Sequence, residues 1–278
     1  MKSLKLTKMT GTGNDFLIWP EADFKPEDYF NVFKVSNRSE LTQILCDRHF
    51  GIGADGLVIL SLKSPSVLEW DFYNADGSSA EMCGNASRCA ARYAFEKQLI
   101  SQESFEILTG AGSIFAEVIQ NSVRVKMTKI DNAQLGQTLK MAHQKIDFDF
   151  VNSGVPHVVI CKQDYILNDI LKTLCKEIQD NPLFAPDATN VTLYKPLSDG
   201  HIESVSFERG VEDFTLACGT GAVAAAFSYR KKNPQFDSVK VKVPGGQLLI
   251  EFKQDEVYMT GPAEYIADIE YNYLKEKA

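Results

Sequence analysis

The chain carries one pattern twice, and a duplicated pattern confines it to two copies of one fold. Cys83-Gly84-Asn85-Ala86-Ser87-Arg88-Cys89-Ala90-Ala91 and Cys218-Gly219-Thr220-Gly221-Ala222-Val223-Ala224-Ala225-Ala226 share a grammar: Cys-Gly, a small polar residue, then a small-residue run suited to a helix. The cysteines lie 135 positions apart. Other segments match at an offset of 134. Phe50-Gly51-Ile52-Gly53-Ala54-Asp55-Gly56 aligns with Phe184-Ala185-Pro186-Asp187-Ala188-Thr189-Asn190, Phe72-Tyr73-Asn74 with Ser206-Phe207-Glu208, and Gly112-Ser113-Ile114 with Gly246-Gln247-Leu248. Gly13-Asn14-Asp15-Phe16 has a counterpart in Gly154-Val155-Pro156-His157. Chance explains one such match but not their shared order, so the chain reads as a duplicated domain.

The duplicated cysteines carry chemistry. A cysteine at a helix N-terminus has its thiolate favoured by unpaired N–H groups and the positive end of the dipole. The N–H groups just after it can hold a carboxylate. Two such cysteines suggest two acid/base groups facing one small substrate.

The net charge of −8 argues against nucleic acid or an anionic membrane as partner. The basic start, Met1 to Lys8, lacks the apolar run of an export signal, and no stretch of about 18 apolar residues is present. The expectation is a cytoplasmic protein whose six cysteines stay reduced. Cys46, Cys161 and Cys175 lie in apolar-patterned segments and read as small buried hydrophobes, as does Cys89. No closely spaced Cys/His set suits a metal. The glycines of Gly51 to Gly56 precede a strand, whereas phosphate-binding loops follow one. Neither a metal nor a cofactor is expected.

Taken in order, Lys5 to Thr10 and Phe16 to Trp19 read as strands joined by a turn at Gly11 to Asp15, and Glu21 to Val35 as irregular, a surface loop with a short helix. Glu40 to His49 has helical spacing. Leu57 to Leu60 and Trp70 to Asn74 are strands, and the Cys83 helix runs to about Leu99. Phe105–Leu108, Gly112–Ile119 and Val123–Met127 follow as strands. The second copy reads likewise, with β segments at Val151–Ile160, Ala188–Tyr194, Ile202–Glu208, Val239–Val243, Gln247–Phe252 and Val257–Thr260. Its helices cover Ile166–Ile178 and Cys218 to about Lys232. Asp131 to Asp147 reads as a polar connection. Each Cys helix is apolar nearly all round and so should be buried. The prediction is an α+β fold of two pseudo-symmetric repeated domains, 1–132 and 133–278, each a curled, mostly antiparallel sheet around a central helix.

With these residues in hand, the chain resembles the diaminopimelate epimerases. The matching motifs are Gly11-x-Gly13-Asn14-Asp15-Phe16, Asp47-Arg48-x-x-Gly51-x-Gly53-Ala54-Asp55-Gly56, Asn74-Ala75-Asp76-Gly77-Ser78, Met82-Cys83-Gly84-Asn85-x-x-Arg88-Cys89, Pro156-His157, Asn190-Val191, Glu208-Arg209-Gly210, Ala217-Cys218-Gly219-Thr220-Gly221 and Thr260-Gly261-Pro262. They span nearly the whole chain in family order. The resemblance implies cofactor-independent epimerisation of L,L-diaminopimelate to the meso form, in lysine and peptidoglycan precursor synthesis, with the site in the interdomain cleft and a possible homodimer. It implies Cys83 and Cys218 as the acid/base pair, with His157 and Glu208 supporting catalysis. The N–H groups of Gly84-Asn85 and Gly219-Thr220 would hold the reacting carboxylate. Asn14, Asn74, Asn190 and Arg209 would bind the distal end, and Glu208 the amino groups. Without the resemblance, Asn74 reads as an Asx-turn, Glu208–Arg209 as a surface pair and His157 as a packed core histidine.

Some positions depart from the family pattern. Val155 stands where an asparagine usually precedes Pro-His, and Ala86 where a glycine follows Cys-Gly-Asn. Phe214 stands where an acid is common, and the sequence gives no physical account of it. The usual tyrosine placement near Tyr265 is missing. Val155 motivates a second reading, a broader racemase acting on amino acids such as glutamate. A third is a relative that binds amino acids without catalysis, against which both retained Cys-Gly motifs argue.

Overall fold

Phe16-Leu17-Ile18-Trp19 and Leu57-Val58-Ile59-Leu60 are apolar at every position rather than at alternate ones, which suits strands covered on both faces. A computed structural model, describing residues 4–21, 25–141 and 144–272, shows the two covers. The chain divides into two compact units, Met1–Val125 with Pro262–Ala278, and Lys126–Gly261.

The first unit holds β1 (Leu4–Gly11), β2 (Asn14–Pro20), α1 (Phe30–Phe33), α2 (Arg38–Cys46), β3 (Gly56–Ser64), β4 (Val67–Asn74), α3 (Gly84–Glu96), β5 (Ser104–Thr109), β6 (Gly112–Ile119) and β7 (Ser122–Lys126). β2 runs parallel to β3, and β4 to β5; the β1–β2, β3–β4, β5–β6 and β6–β7 pairs are antiparallel. α3 packs on β1, β2, β3 and β6. Ala86, Ala90, Ala91 and Ala94 are all buried there, and their small side chains let the sheet close round the helix. On the other face Leu17, Trp19, Leu57 and Ile59 cluster with Tyr29, Phe33, Leu41 and Leu45. Trp19 meets Tyr29 edge-on, with ring centroids 5.4 Å apart. Each such side chain contributes about 1.5–3 kcal/mol by leaving water.

The second unit repeats this order. It holds β8 (Asp131–Lys140), β9 (Lys145–Asn152), β10 (Pro156–Cys161), α4 (Asp169–Gln179), β11 (Asn190–Ser198), β12 (His201–Glu208), β13 (Asp213–Phe214), α5 (Gly219–Lys232), β14 (Ser238–Val243), β15 (Gly246–Lys253) and β16 (Glu256–Pro262). β10 runs parallel to β11 and β12 to β14. The duplication extends to register: Leu57 pairs with Tyr73, and 134 positions on Val191 pairs with Phe207. α5 is the central helix, and α4 covers the other face with Leu171, Cys175 and Ile178.

The structure differs from the sequence reading at five places. The polar stretch after Asp131 is not a connection but strand β8, antiparallel to β9 with two irregularities. It is exposed along nearly all its length, so it shows no apolar alternation. Residues 142–143 of that stretch, and 22–24 of the irregular one, lie outside the described residues. The last strand, β17 (Glu264–Tyr271), pairs antiparallel with β1 and stacks Tyr271 on Phe33. The C-terminal residues therefore join the first unit, not a domain spanning 133–278. The segment Val151–Ile160 breaks into two strands at Gly154, whose φ of 113° needs a glycine. The Cys83 helix stops at Glu96, three residues short of Leu99, with Gln98 left-handed. Cys161 closes β10 and is exposed rather than buried. Among the described residues no helix is long and apolar enough to cross a membrane.

Candidate active site

The first unit presents Cys83 where an extended backbone turns into α3, with φ −145° and ψ 115°. The two-residue turn between β1 and β2 has both Thr12 (φ 58°) and Gly13 (φ 89°) left-handed, the geometry that matches strand twist in a tight hairpin. It sets Asn14 at the start of β2, with Oδ1 4.0 Å from the Cys83 sulfur and 3.2 Å from Asn85 Nδ2. Thr12 is held by Arg88, a fully buried side chain of α3. Arg88 Nη2 donates to Thr12 Oγ1 at 3.0 Å, Nη1 to Gly84 O at 3.4 Å, and Nε to Pro262 O at 3.1 Å. Burial draws its guanidinium down to about 10, still charged at neutral pH. Asn74 ends β4 on the exposed surface and donates from Nδ2 to Ser78 Oγ at 3.0 Å. Gly77, with φ 83°, makes that turn possible.

The second unit presents Cys218 in the equivalent place, extended at φ −112° and ψ 109° before α5. Its sulfur accepts from Gly221 N at 3.4 Å and lies 3.5 Å from Thr220 Oγ1. Thr220 Oγ1 is 2.9 Å from His157 Nε2, and His157 Nδ1 is 2.9 Å from Thr192 Oγ1. Thr192 Oγ1 in turn lies 2.8 Å from Ser206 Oγ, and Ser206 hydrogen-bonds the Cys218 thiol. The result is a closed circuit of five side chains through the cysteine. Glu208 hydrogen-bonds Cys218 and accepts from Thr215 Oγ1. Asn190 is buried and accepts from Arg209 N at 2.9 Å through Oδ1. The Arg209 guanidinium reaches the Asp187 carbonyl.

The electrostatics of this half differ from a bare helix N-terminus. Burial pushes the Cys218 thiol well above its usual range, and the negative charge of Glu208 raises it further; hydrogen bonds with Thr220, Gly221 and Ser206 oppose this without reversing it. Cys218 is thus a thiol at neutral pH. Burial also raises the Glu208 carboxyl, while hydrogen bonds from Thr215 and Cys218 favour its charged form. His157 is pushed down to about 3 by burial, then by the charge of Arg209, so its imidazole is neutral. Cys46, Cys89 and Cys175 are each pushed up to about 12 by burial, which makes them inert packing thiols. Among the described residues no group of three or more His, Cys, Asp or Glu is placed to hold a metal ion.

The sequence reading missed the residues that support these groups. Arg88 had a signal, a cation inside a small-residue helix. Thr192, Ser206 and Thr215 had none, because a strand hydroxyl looks the same facing core or solvent. Gly221 is fixed by the same circuit. A Cβ there would fall inside contact distance of Ser206 Oγ and 3.0 Å from Thr192 Oγ1. Gly221→Ala is therefore expected to destabilise the chain by about 1–3 kcal/mol, read as a lowered Tm. An unchanged Tm would mean that the circuit yields at no cost.

A family model described as diaminopimelate epimerase matches residues 6–132 and 150–266. The diaminopimelate epimerase of Carboxydothermus hydrogenoformans is 39% identical over 281 residues, 96% of this chain and 99% of that protein. That of Aquifex aeolicus is 38% identical over 268 residues, 93% and 94% of the two chains. Among solved structures, a Bacillus anthracis phenazine biosynthesis protein of the PhzF family superposes with a TM-score of 0.71 at 14% identity, covering 98% of this chain and 100% of its own. A hydroxyproline epimerase from Agrobacterium vitis does so with a TM-score of 0.67 at 15% identity, covering 98% and 91%. At such identities the structural likeness speaks for the fold alone. The sequence matches go further: the chain belongs to the diaminopimelate epimerase family.

Proposed function

We propose that the chain epimerises L,L-diaminopimelate to the meso form with Cys83 and Cys218 as its two acid/base groups and without a cofactor. The observation that carries this reading is the repeated placement of a cysteine at the entry to a central helix, once in each unit. Inverting a stereocentre needs a base on one face and an acid on the other, since one group returns a proton only to the face it took it from. Cys218, held as a thiol by burial and Glu208, is the proton donor of the resting enzyme. Cys83 takes the α-proton. The carbanion is stabilised through its carboxylate by the N–H groups of Gly84-Asn85 and Gly219-Thr220, at the positive ends of α3 and α5. His157 is a positioning residue: being neutral, it orients the Thr220 hydroxyl towards the Cys218 sulfur. Asn74, Asn190, Glu208 and Arg209 receive the distal ammonium and carboxylate, whose burial unpaired would be costly. The free thiols this chemistry needs fit a reducing cytoplasm.

One observation favours a second reading. Val155 removes a hydrogen bond, worth about 1–3 kcal/mol if its partner goes unmet, and so relaxes distal selection towards shorter acids. The remaining distal groups would be unpaired under a shorter substrate, so diaminopimelate is expected to lead. Steady-state kinetics on L,L-diaminopimelate and L-glutamate side by side decide it. A kcat/KM for glutamate equal to or above that for diaminopimelate would favour the broader racemase, and no turnover of either would favour a binding protein.

A further inference from the structure

The Asp47-Arg48…Asp55 motif has no role in the chemistry above, yet its charged groups close on the hairpin that carries Asn14. Arg48 Nη1 and Nη2 donate to Asp15 Oδ2 and Oδ1 at 3.1 and 2.7 Å, and Nη2 also to Asp55 Oδ1 at 2.6 Å. Lys8 Nζ lies 3.0 Å from Asp15 Oδ2 and donates to Gly53 O at 2.6 Å. Burial disfavours the charge on Asp15, but hydrogen bonds from Arg48 and Lys8 outweigh it and hold the carboxyl at about 2. The other oxygen of Asp55, Oδ2, accepts from Asp15 N at 3.1 Å and from Asn14 Nδ2 at 2.6 Å.

A carboxylate can only accept hydrogen bonds, whereas an amide side chain has one donor end and one acceptor end. Asp55 therefore selects the NH₂ end of Asn14. The carbonyl end is left facing Asn85 Nδ2 and the Cys83 sulfur, 3.2 and 4.0 Å away. The second copy provides an internal comparison. Phe16 pairs with Gly56 in the first unit, and His157 with Asn190 in the second. By that register Val155 stands where Asn14 does and Thr189 where Asp55 does. Thr189 is buried, and its Oγ1 donates to Asn190 O at 3.0 Å. A carboxylate is present in the copy with an amide to orient and absent in the copy where valine replaces that amide.

We propose that Asp55 is a positioning residue that fixes Asn14 as a hydrogen-bond acceptor, so that Asn14, 4.0 Å from the Cys83 sulfur, recognises the substrate ammonium beside the reacting carbon, rather than the distal end that the resemblance implies, and rejects a carboxylate there. Arg48 locks the arrangement by bridging Asp55 and Asp15. The inference rests on the epimerase reading.

Asp55→Ala takes away the acceptor on Asn14 Nδ2 and frees the amide to turn. KM for L,L-diaminopimelate is then expected to rise about tenfold, with kcat within about threefold of wild type. A merely structural role would instead lower Tm and kcat and leave KM alone. Asp55→Asn keeps one oxygen, which the Asp15 N–H at 3.1 Å holds towards the Asn14 amide. It is expected to keep KM within about threefold of wild type. A KM for Asp55→Ala within about twofold of wild type, or an Asp55→Asn variant no better than Asp55→Ala, overturns the inference. Where Asp55→Ala fails to fold by circular dichroism, Asp55→Leu, which fills the side-chain volume without an acceptor, decides by the same twofold criterion. Wild type inactive on diaminopimelate overturns the epimerase reading and this inference together; active wild type with an unmoved KM overturns this inference alone.

Discussion

Cys83→Ala and Cys218→Ala are each expected to lower kcat/KM for diaminopimelate by about 10⁴-fold, the upper range for loss of a positioned acid or base. Neither substitution should unfold the chain. Cys83 is half-buried and Cys218 sits in a small-residue setting, and alanine is acceptable where an extended residue enters a helix. The losses should not multiply in the double variant, because the two thiols act as a unit on one proton exchange. Each single variant keeps one thiol, so it can still remove and return a proton on one face. Slow solvent exchange without inversion is the expected residue of activity. The check is the epimerisation rate beside a circular dichroism melt. A folded variant of either kind retaining more than about a hundredth of wild-type activity would remove that cysteine from the chemistry.

Glu208→Gln is expected to cost about 10²-fold in kcat and to change the shape of the pH profile. Glu208 hydrogen-bonds Cys218, and after burial its negative charge is the larger influence holding that thiol up. Removing the charge lowers the Cys218 pKa. Because Cys218 must be protonated to donate, the basic limb of kcat/KM should move to lower pH. Glutamine fills the same space and can still accept from Thr215, so packing is not the variable tested. A basic limb that stays in place, or moves to higher pH, would show that Glu208 does not control the thiol.

Much of the fold can be read from the residues, for physical reasons that vary along the chain. The double Cys-Gly pattern and the small-residue runs behind it locate both central helices, since little else tolerates enclosure by a sheet. Strands covered on both faces, such as Phe16 to Trp19, announce themselves as apolar runs. β8 and β17 give no such signal: β8 is exposed nearly throughout, and β17 alternates only weakly. Their place is set by pairing with a distant strand, β17 with β1, which no local pattern records. Phe214 is a similar case. It looks out of place in the sequence, but β13 pairs it with Phe207, and the two rings meet edge-on at 5.6 Å.

The candidate site divides along the same line. The two cysteines are legible because cysteines at duplicated helix starts are rare, whereas the buried His157 and the Glu208-Arg209 pair came forward only through the family resemblance. The groups that hold them are ordinary residues given meaning only by contact. Thr192 and Ser206 complete the circuit through His157, and Asp55 orients Asn14, yet nothing in their own neighbourhood separates them from any strand threonine or turn aspartate. At Cys218 the helix dipole is not the larger influence. It favours a thiolate, whereas burial beside an acidic side chain outweighs the dipole and leaves a thiol.

The most direct test of a two-thiol epimerisation is the fate of the α-hydrogen in D₂O at early conversion. The account predicts meso-diaminopimelate carrying one solvent deuterium at the inverted carbon, while recovered L,L-diaminopimelate stays almost unlabelled, because removal and delivery fall to different thiols. Product that keeps its original protium, or deuterium appearing equally in product and recovered substrate, would contradict it by requiring a single base.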